Sequence, residues 1–382
     1  MESVRTGNRT VGSNPTFSVS FFNMKIIFID AFYGYGGAQK FNISLMDDLK
    51  TKGHSIVLIG KYRCKLLCEY SGKKYSLPFL GDADLITLFS ILFILIYERP
   101  DVIHTHSHHD HWLGGLAAKI LNIPVVHTRH VAYSMKPTLL RRIMFSSLAD
   151  VIITVSEYTR QQLLNTFKTI RSFDNSKVIT VPSYSVTKQK AVQGLLRHEI
   201  MCPSKKIIAC IGRFVEGKGQ SYLIDILPEL IKKHSDVCVV FAGDGPLKDD
   251  LEYRCRKEGL PVYFLGFRSD LQTIFADSYL SVVPSDFESL SFAAMDSLYH
   301  TVPVVASDVG GIPEVVENGK TGILFPSGDK KEFITAIDTL LTDTQLYDRM
   351  KKACSIVKRK IDEADGNNAV IAVYKKALEK KK

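Results

Sequence analysis

The sequence predicts an α/β protein with two doubly wound parallel sheets, one in each half of the chain. Short apolar runs rich in Val and Ile alternate with helical or loop segments in two successive series. The stretch 186–203 between the series is rich in Lys, Gln and Ser and has no strand pattern. Continuous apolar runs are typical of parallel strands covered on both faces. Ligands of such sheets bind at the carboxyl ends of the strands, so we expect a cleft between two domains.

Each series contains six predicted strands, placed on its apolar runs. In the first half they are 25–29, 55–59, 102–104, 125–128, 151–155 and 178–181. In the second half they are 207–211, 237–242, 262–265, 280–283, 304–307 and 322–325. Helices are predicted between them, for example at 221–234, 247–258 and 293–299. The expected organisation is a first domain at 24–190, a linker at 191–203, a second domain at 204–365, and a C-terminal segment at 366–382.

Residues 1–23 form a polar segment rich in Ser, Thr, Asn and Gly, without an apolar core of signal-peptide length. The chain then enters its first apolar run directly after Met24. We expect residues 1–23 to be a disordered arm, or Met24 to be the natural start of the protein.

The longest apolar run is 85–97, which spans 13 residues. A helix needs about 20 apolar residues to cross a membrane. The run therefore predicts a helix that is buried on most sides. A role at a membrane surface stays open as the alternative.

Composition and charge exclude several classes of protein. With 45% hydrophobic and 23% charged residues, the chain is neither disordered nor collagen-like. Seven scattered cysteines without a CxxC pair predict free thiols rather than zinc sites or disulfides. A net charge of +9 fits anionic partners such as phosphorylated metabolites, a lipid headgroup surface or nucleic acid, and does not distinguish among them. The sequence contains no motif of basic and aromatic residues that is typical of RNA or DNA binding, so a nucleic-acid partner is not expected.

A candidate anion site follows the strand at 207–211. Gly212 and Arg213 come directly after this strand, and Lys218 and Gly219 precede the next helix. Backbone N–H groups at a helix start favour phosphate, and the two cations would supply the charge that a metal ion otherwise provides. The alternative is a surface turn with two solvated cations.

Two carboxylates, Glu288 and Asp296, lie eight positions apart after the strand at 280–283. They would share one face of a helix if that helix began early. A carboxylate near a helix start can accept sugar or ribose hydroxyl groups. The alternative is one charge that interacts with the helix dipole and one exposed Asp. Gly310 and Gly311 then allow close approach of the backbone to a ligand.

Seven of the eleven histidines lie between His104 and His130. An HxHxDH pattern within them resembles the metal motif of metallo-β-lactamase-like hydrolases. It consists of His106, His108, Asp110 and His111, and further ligands in a permissible order would be His198, Asp244 and His300. The interpretation that we favour for His108, His109 and His111 is a polar loop over a helix start near the acceptor.

Five ordered motifs of the second half resemble the family 4 glycosyltransferases of GT-B fold. They are GR-x4-KG at 212–219, AGDGPL at 242–247, LGF at 265–267, ESLSFAAMD at 288–296, and PVVASDVGGIPEVVENGKTGILF at 303–325. The first half is similar at YGYGGAQK (33–40), RPDVIHTHS (99–107), IPVVHTRH (123–130) and ADVIITVSEYTR (149–160). The resemblance covers about residues 24–345. It implies two Rossmann-like domains that face a central cleft, and a terminal helix at 367–380 that packs back on the first domain.

The resemblance also implies residue roles. Arg213 and Lys218 would bind the donor diphosphate and stabilise the leaving group, and Glu288 would lie near the transferred sugar. Asp296 would bind the ribose, although the family has Glu at this position. His130 would face the sugar as a further active-site residue. The remaining donor-binding residues implied by the motifs are Gly36, Gly37, Gly212, Gly243, Phe267, Ser289, Leu290 and Ser291.

The activity implied by the resemblance is transfer of a sugar from a nucleotide-sugar donor to an acceptor hydroxyl, with retention and without a metal or other cofactor. The acceptor would be a glycan, a lipid-linked glycan, or a lipopolysaccharide or capsule precursor. We expect a cytoplasmic protein that attaches weakly to an anionic inner membrane face through the 85–97 helix and Lys136, Arg141 and Arg142. The other alternative is a GT-B binding protein that has lost turnover, although Arg213, Lys218 and Glu288 are all present.

Overall fold

A computed structural model describes residues 23–133, 135–181, 186, 192–202, 204–363 and 366–381. It contains two parallel sheets, which confirms the predicted pair of doubly wound α/β domains. The strand order is β3-β2-β1-β4-β5-β6-β7 in the first sheet and β10-β9-β8-β11-β12-β13 in the second. The predicted arm, apart from Asn23, and part of the predicted linker lie outside the described residues.

All twelve predicted strands are present, and the bounds of the elements are as follows. The first sheet contains β1 (Lys25–Asp30), β2 (Ser55–Lys61), β3 (Lys73–Leu77), β4 (Val102–Thr105), β5 (Val125–Arg129), β6 (Val151–Thr154) and β7 (Val178–Thr180). The second contains β8 (Lys206–Ile211), β9 (Val237–Ala242), β10 (Val262–Phe264), β11 (Ser278–Val283), β12 (Val304–Ser307) and β13 (Gly322–Phe325).

Helices cover both faces of the sheets. They are α1 (Gly37–Thr51), α2 (Lys65–Glu69), α3 (Leu85–Glu98), α4 (His108–Ile120), α5 (Leu139–Arg142), α6 (Glu157–Phe167), α7 (Leu195–Glu199), α8 (Gln220–Lys233), α9 (Lys248–Lys257), α10 (Leu271–Asp277), α11 (Phe292–Tyr299), α12 (Lys330–Thr342), α13 (Thr344–Glu363) and α14 (Gly366–Glu379). A π-helical segment, Ile143–Leu148, follows α5, and 3-10 turns lie at Asn175–Lys177 and Ile312–Glu314.

Strand β3 is the element that the apolar pattern misses. Its sequence, KKYSL, places only Leu77 in the buried class. It pairs with β2 alone and forms the edge of the first sheet. Lysines are common on edge strands because they discourage pairing with another chain. The lysines that suit an edge position also make β3 polar. For that reason the search for apolar runs does not predict it.

The expectation that the 85–97 helix is buried on most sides is wrong. Helix α3 begins after Asp84, whose side chain accepts a hydrogen bond from the Thr87 backbone N–H. One face packs on the sheet through Ile91 and Leu95. The opposite face exposes between 58% and 71% of each of six large side chains: Leu85, Ile86, Phe89, Phe93, Ile96 and Tyr97. The sheet covers only one side of the helix, and the described residues add no further layer.

Helix α14 packs against the first sheet although it lies at the end of the chain. Val370, Val373 and Ala377 are buried in the same core as Ile26 of β1. Tyr374 is buried as well, and its hydroxyl lies 2.8 Å from Nδ1 of His104 on β4. The chain thus crosses from the second sheet back to the first. Among the helices of the described ranges, none has both the length and the apolar character needed to cross a membrane.

Candidate active site

The loops after the carboxyl ends of the strands bring the two sheets together. Ser289, between β11 and α11, accepts a hydrogen bond at Oγ from the Ala132 backbone N–H (2.8 Å), which follows β5. Its carbonyl oxygen accepts one from the Ser156 hydroxyl (2.6 Å), which follows β6. Gly37 lies so close to Phe292 that a Cβ at Gly37 would be 2.3 Å from the ring. The two sheets therefore face each other at the edges where doubly wound sheets bind ligands.

Glycines bring the loops of the second sheet into close contact around the predicted anion site. Gly219 has a φ of +72°, and a Cβ there would lie 1.8 Å from the Pro284 carbonyl oxygen. Gly243 has a φ of +148°, and a Cβ there would lie 1.9 Å from the Gly212 carbonyl oxygen. A side chain fits at neither position. As a result, the loops after β8, β9 and β11 converge at the start of α8.

The two cations of this segment differ in their contacts. The Arg213 side chain is exposed and has no hydrogen bond or ion pair to the part of the chain that the structure describes. Lys218 Nζ lies 2.6 Å from Oε1 of Glu288, which also accepts a hydrogen bond from the Ser285 hydroxyl (3.1 Å). The interpretation as a turn with two solvated cations therefore fails for Lys218.

Glu288 and Asp296 do not share a helix face. Helix α11 begins at Phe292, so Glu288 lies in the loop before it, and only Asp296 is helical. The Glu288 loop is held by the glycine turn after β12, where the Gly311 backbone N–H donates to the Glu288 carbonyl oxygen (3.0 Å). A Cβ at Gly310 would lie 1.8 Å from that same oxygen. The glycine turn thus positions Glu288 through its backbone.

Asp296 is buried, so its interpretation as an exposed acid is wrong. Its Oδ2 lies 3.3 Å from Nζ of Lys40, in the first turns of α1 after the Gly36 cap. Its side chain is 4% exposed. Sequence reasoning did not select Lys40. Lys40 places a positive charge near the positive end of the α1 dipole, which is unfavourable unless an acid lies nearby. Its position in the sequence could therefore have identified Lys40 as a residue with an acidic partner.

His130, directly after β5, is half-buried and lies beside the buried imidazole of His106. Its Nε2 is 3.2 Å from Nδ1 of His106, and the Phe41 ring lies edge-on with centroids 6.3 Å apart. Burial lowers the pKa of His130 to about 4 and holds the pKa of His106 well below its usual value. Both rings are therefore neutral at pH 7. The buried Nδ1 of His130 has no hydrogen-bond partner in the described ranges.

Three further predicted residues have clear positions. Leu290 is buried beside Val155, and the Ser291 hydroxyl accepts a hydrogen bond from the Ala294 backbone N–H (3.2 Å), so it caps α11. Phe267 is 48% exposed. Lys65 Nζ of the first sheet's α2 lies 3.4 Å from the Phe267 ring centroid. Phe267 thus takes part in contacts between the two halves of the chain.

The HxHxDH residues do not converge on one point. Asp110 forms a capping box with Ser107 at the start of α4 and also accepts a hydrogen bond from the Ala31 backbone N–H (3.0 Å). His111 is buried and lies between the Thr105 hydroxyl and the Met144 carbonyl oxygen. The structure therefore does not support the hydrolase interpretation. The interpretation of His108, His109 and His111 as a polar loop is also wrong, because all three lie in the first turn of α4.

A different group of side chains has the spacing of a metal site. His108 and His109 turn outwards to Asp82, with His109 Nδ1 2.9 Å from Asp82 Oδ1. One ligand atom from each residue lies within 4.8 Å of the others. All three are at least partly exposed; His108 and His109 lie at the start of α4, and Asp82 lies in the loop before α3.

Glu314 is a second residue that sequence reasoning missed, although it lies within a quoted motif. Its carboxylate accepts hydrogen bonds from the backbone N–H groups of Glu157 (2.8 Å) and Tyr158 (2.7 Å). These are the first residues of α6, so an acid from the second half of the chain caps a helix of the first. The contact helps to hold the two halves together around the site.

Comparison with known proteins agrees with this architecture. The model "Glycosyltransferase Family 4" matches residues 35–183, and the model "Glycosyl transferases group 1" matches residues 205–343. Sulfoquinovosyl transferase SQD2 of Arabidopsis thaliana is 28% identical over 285 residues, which are 69% of this chain and 54% of that protein. This chain thus spans about half the length of that relative.

Two further relatives show the same relationship. An Escherichia coli protein, UDP-Gal:alpha-D-GlcNAc-diphosphoundecaprenol alpha-1,3-galactosyltransferase, is 27% identical over 71% of this chain and 74% of its own length. The structure of Anabaena HepE with UDP and glucose superposes with a TM-score of 0.79 at 20% identity. That match covers 92% of this chain and 99% of HepE. With both family models matched in order and the paired parallel sheets in place, the chain belongs to the family 4 glycosyltransferases of GT-B fold.

Proposed function

We propose that this protein transfers a sugar from a nucleotide-sugar donor, bound by the second domain (204–365), to an acceptor hydroxyl held by the first domain (24–190). The observation that carries the proposal is the Lys218–Glu288 pair, 2.6 Å apart at the glycine-lined start of α8. The HepE complex contains UDP and glucose, and the E. coli relative is named for a UDP-sugar donor. Both names support a nucleotide-sugar donor.

The charges of the site fit a diphosphate leaving group. Breaking the glycosidic bond adds negative charge to the diphosphate, which Arg213 and Lys218 would stabilise more strongly than they stabilise the bound donor. Glu288 would keep Lys218 in place and lie near the sugar. Asp296 would accept the ribose hydroxyls. A neutral His130 would hydrogen bond to the sugar rather than carry a charge.

We extend the proposal to retention of the anomeric configuration and to independence of metal ions. Both follow from the family resemblance, and the two cations at the diphosphate position support the second. We assign no nucleophile on the protein, and none is needed for the roles given above. We assign no role in the reaction to Asp82, His108 and His109.

A donor panel tests this proposal. Purified protein is incubated with UDP-, GDP-, ADP- and CDP-sugars, and thermal stabilisation and slow release of the nucleoside diphosphate are measured. We expect one nucleotide class to stabilise the protein and to be hydrolysed slowly. Failure of all four classes to bind or to react would contradict the proposal.

We also propose that the exposed face of α3 lies on an anionic membrane. Six adjacent apolar side chains of this helix are more than half exposed, which is unusual for a soluble surface. Helix α4 packs between α3 and the π-helical segment, which directly follows Arg141 and Arg142. These two cations therefore lie on the same side of the first sheet as α3. Basic residues near apolar ones favour anionic headgroups.

Sedimentation with lipid vesicles tests the membrane proposal. We expect binding to vesicles that contain phosphatidylglycerol, weaker binding to pure phosphatidylcholine, and loss of binding in Phe89→Ser/Phe93→Ser. Tyr253→Ser removes an equally exposed side chain from the second domain and serves as the control. Equal binding of the α3 variant and the wild type would contradict the proposal.

A further inference from the structure

We propose that Arg129 binds a phosphate group of the acceptor, so that the acceptor is a phosphate-bearing molecule. This inference rests on the proposed function, because it concerns the first domain as the acceptor domain. It goes beyond that function by assigning a residue and a chemical class to the acceptor site.

Arg129 is a buried cation that has no acid partner among the residues that the structure describes. Its side chain lies at the end of β5 and is 6% exposed. One Nη donates to the Tyr133 carbonyl oxygen (3.1 Å), and the buried Nε has no partner in the described ranges. The guanidinium lies over the rings of Tyr133 (5.5 Å) and Phe145 (5.8 Å). Burial lowers the pKa of Arg129 to about 10, so the group is still charged at pH 7.

A buried charge is costly unless it is paired, and the neighbouring sequence supplies no acid. The segment 129–142 contains Arg129, Lys136, Arg141 and Arg142 but neither Asp nor Glu. Within the described part of the chain, none of the four forms an ion pair. Arg141 Nη1 and Arg142 Nε instead donate to the carbonyl oxygens of Lys136 (3.0 Å) and Pro137 (2.9 Å). The partner that these cations fit is therefore an anion from outside the part of the chain that the structure describes.

The position of the cluster points to the acceptor. Arg129 is adjacent to His130, and Ala132 donates to Ser289 next to Glu288, so the segment begins at the candidate active site. The donor diphosphate already has Arg213 and Lys218 on the opposite domain. The π-helical segment Ile143–Leu148 supplies the Phe145 ring, and such segments frequently occur at functional sites.

Phosphate is the anion that fits best. A guanidinium binds phosphate through two parallel N–H groups, and several cations together match a group that carries more than one negative charge. Tyr133 and Leu139, which are 54% and 74% exposed, place apolar surface beside the cations. That combination suits a phosphate attached to a lipid. The phosphate would belong either to a lipid-linked acceptor, which we assign, or to a membrane phospholipid.

Titration calorimetry with farnesyl diphosphate tests the assignment. The measurement uses the full chain carrying Lys218→Ala, so that the proposed donor site does not compete for the probe. We expect Arg129→Met to weaken binding at least tenfold, Arg129→Lys to keep part of it, and farnesol to bind at least tenfold more weakly than the diphosphate. Arg171→Met, which removes an exposed arginine of the same domain, is the control and changes nothing. Equal binding of Arg129→Met and its parent would overturn the inference.

Two further readouts separate the explanations. If Arg129→Met weakens binding to phosphatidylglycerol vesicles but not to farnesyl diphosphate, the phosphate belongs to a phospholipid and the acceptor assignment is wrong. A purely structural arginine would lower the melting temperature when lost, whereas removal of an unpaired buried charge should raise it by roughly 2–4 °C. A lowered melting temperature therefore counts against the inference. The donor panel tests the proposed function independently of this inference, because it measures nucleotide binding and not the binding of farnesyl diphosphate.

Discussion

Lys218 Nζ lies 2.6 Å from the Glu288 carboxylate, although the two residues are 70 positions apart and come from loops after different strands. Neither side chain is deeply buried, with 27% and 13% exposed. The pair holds a cation at the start of a helix, where backbone N–H groups already favour an anion. In the proposed function, a diphosphate bound there would meet a charge that is already in position, which is the condition for efficient electrostatic catalysis.

Replacing Asp296 should affect donor binding more than turnover. Ribose is remote from the bond that breaks, so its contact is equally strong in the bound donor and in the transition state. We expect Asp296→Ala to raise the donor KM roughly tenfold while kcat changes little, and Asp296→Glu to be tolerated. Initial rates over a donor titration measure both constants. Asp249→Ala removes an exposed acid of the same domain as a control. A drop in kcat with unchanged KM would show that Asp296 acts elsewhere.

Removing metal ions should leave activity intact. In the proposed site, Arg213 and Lys218 would provide the positive charge at the diphosphate, so no divalent cation would be needed there. We expect unchanged turnover after dialysis against EDTA. A metal bound by Asp82, His108 and His109 would be lost in His109→Ala without an effect on the reaction. Activity that disappears with EDTA and returns with a divalent cation would refute this view.

Buried histidines should make folding stability fall in mild acid. Burial lowers the pKa of His104 and of His111 to about 3, against about 6.5 for an unfolded chain. Below pH 6.5 the unfolded state binds protons that the folded state excludes. The stabilising contribution of these two imidazoles is therefore full above pH 6.5 and declines towards pH 3, by at most about 1.4 kcal/mol per pH unit for each.

Urea unfolding at pH 7.5, 6.0 and 5.0 measures this decline. His111→Asn should reduce its steepness by the contribution of one proton, whereas His198→Asn, which removes an exposed histidine, should not change it. A pH dependence that is the same in His111→Asn and in the wild type would contradict the burial of a neutral imidazole at this position.

Local pattern was enough to predict the strands and the loops of the second sheet, because parallel strands are apolar on both faces and the glycine turns are sequence-local. It was not enough to predict the exposure of α3, because an apolar helix has the same sequence pattern whether or not a neighbouring element covers it. Edge strand β3 was missed because its exposed lysines leave it without an apolar run. These failures share one cause, since exposure is set by the arrangement of elements and not by the residues of one element.

Contacts between the domains were also beyond sequence reasoning. Lys40 and Asp296 are 256 positions apart, and Glu314 caps a helix that begins more than 150 positions earlier. The motifs identified Asp296 and contained Glu314, but only the packed structure shows their partners. Arg129 escaped for a related reason, because an arginine without an acid partner is recognised only when its burial is known.

The most direct test of the account is the turnover number of Lys218→Ala. With the donor identified by the panel, kcat is measured at saturating donor for wild type, Lys218→Ala and the exposed control Lys257→Ala. The loss of a charge that stabilises the leaving diphosphate predicts a decrease on the order of a hundredfold for Lys218→Ala and none for the control. A kcat of Lys218→Ala near that of the wild type would contradict the assignment of this site.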